Sequence, residues 1–135
     1  MRTSIAVALA VTLAMTAVPA LANTVYKCDI EQIAANRNGL PPLVFVERIG
    51  ATRKATVMDG YVKHYLGTPA DAVVQTDNAT RITFSWTLDA ADGNGDLTRM
   101  SFHLTYMKAT GVASMFSEWL GYTNQYLASG KCKVR

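Results

Sequence analysis

Along residues 80–89 and 97–107 apolar and polar side chains alternate almost one for one. Ile82, Phe84, Trp86 and Leu88 interleave with Arg81, Thr83, Ser85, Thr87 and Asp89. Met100, Phe102, Leu104 and Tyr106 interleave with Arg99, Ser101, His103, Thr105 and Met107. Successive side chains of a strand point to opposite faces, so this period of two predicts two strands, each with one buried and one wetted side. Further stretches rich in β-branched and aromatic residues are VYKCDI, LVFVERI, KATVM and AVVQT. Turn clusters punctuate the chain at Asn36-Arg37-Asn38-Gly39 with Pro41-Pro42, Ile49-Gly50-Ala51, Asp77-Asn78, Asp92 to Asp96, and Thr110-Gly111. The rhythm predicts an all-β or β-dominated α+β protein built on a small antiparallel sheet.

The stretch DAADGNGDL, residues 89–97, joins the two long strands and admits two registers. A two-residue Asn94-Gly95 turn would set Trp86 against His103 and every apolar residue against a polar one, which is strongly disfavoured. A three-residue loop, Gly93-Asn94-Gly95, sets Leu88 against Met100, Trp86 against Phe102, Phe84 against Leu104 and Ile82 against Tyr106. The outer face then pairs Asp89 with Arg99, Thr87 with Ser101 and Thr83 with Thr105. Gly95 falls where a left-handed residue is needed. Asp92, Asn94 and Asp96 also imitate a calcium loop. Counted from Asp92, however, the required glycine is Leu97 and the required glutamate is His103, so the stretch reads as a turn.

Two segments depart from the β pattern. DGYVKHYL, residues 59–66, opens on an acid suited to an N-cap and is followed by Gly67, which predicts a short helix. In GVASMFSEWLG, Val112, Met115, Phe116, Trp119 and Leu120 fall at helical spacing, and Gly121 closes the run. A helix over 112–120 is slightly favoured, although a returning strand would suit a meander.

The chain begins with Arg2, an apolar run from Ile5 to about Val18, and Ala20-Leu21-Ala22. This is the form of a secretory leader, residues 1–22, cleaved after Ala22, rather than a membrane anchor. The mature part, 23–135, is expected to be one domain, periplasmic or extracellular, without a stable membrane anchor. Cys28 and Cys132 lie near its two ends, and an oxidising compartment favours their pairing over a redox or metal role, since neither C-x-x-C spacing nor a companion histidine is present. A bridge between them makes the first and last segments neighbours, closing the sheet into a barrel or a tight sandwich. The formal net charge of +3 is modest and the cations are scattered, which argues against nucleic acid as a partner.

Candidate chemistry is sparse. No G-x-S-x-G occurs, and both cysteines are consumed by the bridge. Asp59, Tyr61 and His64 form the one local cluster resembling an acid–base site, while His103 reads as a solvated strand residue. No metal site and no cofactor are expected. Asn78-Ala79-Thr80 matches a glycosylation sequon but also fits a turn. Near the C-terminus Trp119, Tyr122, Asn124 and Tyr126 combine aromatic rings with an amide, as in surfaces that recognise a protein or a sugar. The expectation is therefore a non-catalytic exported binding module for a protein partner, of inhibitor or accessory type. The alternatives are a ligand-holding barrel, a small enzyme using Asp59, Tyr61 and His64, and a structural element of an envelope assembly.

Overall fold

The computed structural model describes residues 22–35, 37, 39–91 and 94–135. The leader read over 1–22 lies outside the described residues except for Ala22, as do Asp92 and Gly93 of the calcium-like loop. Eight strands follow in order: β1 (Thr24–Ile30), β2 (Leu43–Arg48), β3 (Lys54–Asp59), β4 (Ala70–Asp77), β5 (Arg81–Ala91), β6 (Leu97–Met107), β7 (Val112–Trp119) and β8 (Gln125–Val134). A single short helix among the described residues, α1 (Gly60–Tyr65), sits between β3 and β4. Each strand pairs antiparallel with the next, and β8 returns to β1, giving a closed up-and-down barrel and not a sandwich.

The alternation in sequence explains the wall. Ile82, Phe84, Trp86, Leu88, Met100, Phe102 and Leu104 are all buried inside, with Val44, Val46, Val57, Val74 and Met115. Eight strands leave an interior about wide enough for side chains to fill. Polar side chains such as Lys27, Glu47, Thr87 and Lys131 face outwards, opposite to the pattern of a lipid-spanning barrel. The β5–β6 register is the one required by the three-residue loop: Leu88 faces Met100, Trp86 faces Phe102, and Ala91 faces Leu97. Gly95 has φ +82°. On the outer face Arg99 binds Asp89 through two hydrogen bonds, and the Thr83 and Thr105 hydroxyls meet at 2.9 Å.

Residues 112–120 form a strand and an adjoining turn, which corrects the slightly favoured helix. Ala113, Met115, Ser117 and Trp119 face inwards, whereas Val112 and Phe116, members of the apparent helical stripe, lie on the outside. The small or polar inward residues Ala113 and Ser117 hid the period of two. Pairing decides the matter: without β7 neither β6 nor β8 would have a partner on that side. The expected helix over 59–66 forms as α1. Its N-cap is Asp59, whose Oδ1 accepts from Val62 N at 2.9 Å, and Gly67 follows with φ +73°.

Cys28 lies opposite Cys132 and is bonded to it, across a ladder that runs from Tyr26–Val134 to Ile30–Gly130. Asn78 Oδ1 accepts from the Thr80 and Arg81 amides, so the sequon stretch is a hydrogen-bonded turn.

Candidate functional site

The two ends of the barrel differ. At one end the strands are joined by short turns at 49–53, 78–80 and 108–111. Arg48 continues the inward series Val44, Val46 and closes this mouth. Its guanidinium binds Asp77 at 2.8 Å and the carbonyls of Thr52 and Ala51, while Lys108 binds Asp77 Oδ1 at 2.6 Å. Beneath it, Tyr26 packs edge-on against Phe84 and Tyr106. The hydrogen bond from Lys108 holds the Asp77 carboxyl below the usual range, against the cost of desolvation, and Arg48 lowers it further.

The opposite end carries the longer connections, 31–42 and 60–69 with α1, together with the tip of the β5–β6 hairpin and the turn 120–124. Both candidate clusters fall here, because β3 ends, β7 ends and β8 begins at the same mouth. The segment 39–42 folds over it. Leu40 is fully buried, a burial worth about 1.5–3 kcal/mol, which pins the segment. The Ser117 hydroxyl donates to Gly39 O at 2.6 Å. Gly39 lies so close to the Tyr126 ring that a Cβ there would overlap it. Val62 of α1 is buried beneath the same mouth.

Asp59 is buried, and its Oδ1 is taken up by the Val62 amide; burial raises its pKa, outweighing the backbone hydrogen bonds that lower it. Tyr61 is half-buried, its ring centroid 6.2 Å from that of Phe102. Burial also raises its pKa, with smaller contributions from Asp59, Tyr65 and Tyr126. His64 is exposed and packs edge-on against Tyr65 at 4.7 Å. No hydrogen bond joins Asp59 to His64 among the described residues, and the carboxyl is committed to capping the helix. His103 stands on the outer wall, with Nδ1 3.1 Å from Gln75 Oε1.

In the second cluster Tyr122 is exposed and lies edge-on to Trp119, whose indole N–H is buried without a protein partner among the described residues. Asn124 donates a long hydrogen bond of 3.4 Å to the Tyr126 hydroxyl. Tyr61 and Tyr126 link the two clusters across the mouth, close enough to interact electrostatically.

A pocket of about 320 Å³ opens beside α1, lined by Arg37, Leu40, Pro41, Pro42, Gly60, Tyr61, His64 and Tyr65. Sequence reading found Tyr61 and His64 but passed over Arg37, Leu40 and Tyr65. In sequence Arg37, with Pro41-Pro42, reads as part of a turn cluster, and Tyr65 as part of the short helix, neither as a lining. Next to it, sharing Pro42 and Gly60, a concavity of about 380 Å³ is lined by Leu43, Phe45, Met58, Asp59 and Lys63. No group of three or more His, Cys, Asp or Glu with metal-binding geometry occurs among the described residues.

Comparison of the chain with protein-family models, with curated proteins and with solved structures gave no match in any of the three.

Proposed function

We propose that this chain is an exported, non-catalytic binding module that recognises a protein partner through the α1 end of its barrel. The observation that carries the reading is the distribution of exposed apolar surface. The four most exposed large apolar side chains are Leu97 (75 %), Leu127 (65 %), Tyr122 (59 %) and Ile33 (56 %), and all belong to this end. Leu66 and Leu120 add to the same rim. Val73 on the wall and Ile49, Met107, Val112 and Val134 at the sealed end are exposed too, each less than those four; exposed apolar and aromatic side chains mark interaction surfaces, and Tyr is enriched in them. The other mouth is sealed by the Arg48–Asp77–Lys108 network. The leader and the disulfide support export to an oxidising compartment. The commitment of Asp59 to a helix cap, and the distance in role between it and His64, favour binding over acid–base catalysis.

The test is capture of envelope or medium proteins on the oxidised mature chain, comparing two paired variants. Leu120→Ser with Tyr122→Ser should abolish retention of a discrete partner, whereas Ile49→Ser with Val112→Ser at the sealed end should leave it intact. Equal retention by both variants would refute the assignment of the binding face.

A further inference from the structure

We propose that the pocket between α1, Arg37 and Leu40–Pro42 binds an apolar carboxylate, a compact aliphatic or aromatic body carrying one anionic group. The proposal deepens the binding-module reading and rests on it for the choice of face. Ligand pockets begin at roughly 300 Å³, so a volume of about 320 Å³ admits a small body only. Leu40, Pro41 and Pro42 give rigid apolar walls, and the Tyr61 and Tyr65 rings extend them. The residues with polar side chains that line it are Arg37, His64, Tyr61 and Tyr65, and none of the described lining residues is acidic. Guanidinium is suited to carboxylate because its paired N–H groups match both oxygens. Lys63 of the same short helix lines the adjoining concavity and not this pocket. The adjoining carboxyl, Asp59, is buried with one oxygen already bonded to Val62 N, and burial biases it towards its neutral form, which weakens its repulsion of an anion.

Such a group could be a free small acid or the C-terminal residue of a polypeptide. Three probes separate these sources: 3-phenylpropanoate, its amide 3-phenylpropanamide, and an N-acetylated peptide ending in phenylalanine with a free carboxylate. Each is titrated into isotope-labelled oxidised mature protein and followed by amide shifts. A carboxylate probe should shift residues of α1 and 37–42, and the amide should bind at least about tenfold more weakly, as expected for loss of a charge-assisted hydrogen bond. Arg37→Gln, at an exposed position, should fold normally and lose the preference for acid over amide. Tighter binding of the peptide points to a polypeptide terminus; binding of phenylpropanoate alone points to a small molecule; both support the site. Equal binding of acid and amide, shifts elsewhere on the barrel, or no binding of any probe would overturn it. That failure would leave the Leu120 and Tyr122 capture result standing, so the two readings fail separately.

Discussion

Cys28 and Cys132 face one another directly across β1 and β8, their Cα atoms 4.0 Å apart, and their bond joins strands separated by 104 positions in sequence. The covalent link and the β1–β8 ladder close the same seam. Replacing both cysteines by alanine should lower stability by about 2–5 kcal/mol in urea unfolding while far-ultraviolet dichroism keeps its β form. A change below about 1 kcal/mol would show that the link adds little to a seam already held by hydrogen bonds.

Gly130 lies on the same seam, where a Cβ would run into the Asp29 carbonyl of the neighbouring strand. Backbone cannot swing aside as a side chain can. Gly130→Ala should therefore cost about 1–3 kcal/mol through overpacking. Gly39→Ala would run into the Tyr126 ring, so it should destabilise the mouth and shift the Tyr126 and Ser117 resonances there.

Asp59 and Asp77 should give opposite dependences of stability on pH. Burial raises the Asp59 pKa, so its folded form holds a proton that the unfolded chain has released. Its contribution falls as pH rises from about 4, the ordinary carboxyl value, through the raised value. Asp77 is lowered by Lys108 and Arg48, so its contribution is present above the ordinary value and fades as pH falls through the lowered one. Asp59→Asn keeps an oxygen for the Val62 amide. It should remove the loss that sets in above about pH 4 when unfolding free energies are compared at rising pH. An unchanged slope would contradict the assignment.

Arg48 seals the mouth away from the proposed binding face. Arg48→Ala leaves Asp77 with Lys108 alone and frees two turn carbonyls, at a cost of about 1.5–3 kcal/mol for lost charge-assisted hydrogen bonds. Partner retention at temperatures where the variant stays folded should match that of the unaltered chain. A stability loss with retained binding separates the two ends.

Much of the barrel is legible in the residues because burial imposes its period on them. In β5 and β6 large apolar side chains occupy four consecutive inward positions of each strand, Ile82 to Leu88 and Met100 to Tyr106, so both the strands and their register follow from alternation. Closure follows from two cysteines, Cys28 and Cys132, that lie far apart in sequence and pair across β1 and β8. In β7 the inward positions include Ala113 and Ser117, which carry little hydrophobic signal, while the outward Val112 and Phe116 completed a false helical stripe. The mouth was harder still. Leu40 and Pro41 are buried by an irregular segment that has no period, so nothing in the sequence distinguished them from an exposed turn. The meeting of 59–64 with 119–126 depends on how many strands intervene, and that number was open while 112–120 was.

The most direct measurement places a photoreactive amino acid singly at Leu66, at Tyr122, and, on the sealed end, at Thr52 and Ala109, in chain produced by its own host. Recognition through the α1 end requires one partner cross-linked from Leu66 and Tyr122 and none from Thr52 or Ala109. Cross-links arising from Thr52 or Ala109 while Leu66 and Tyr122 stay silent would contradict it.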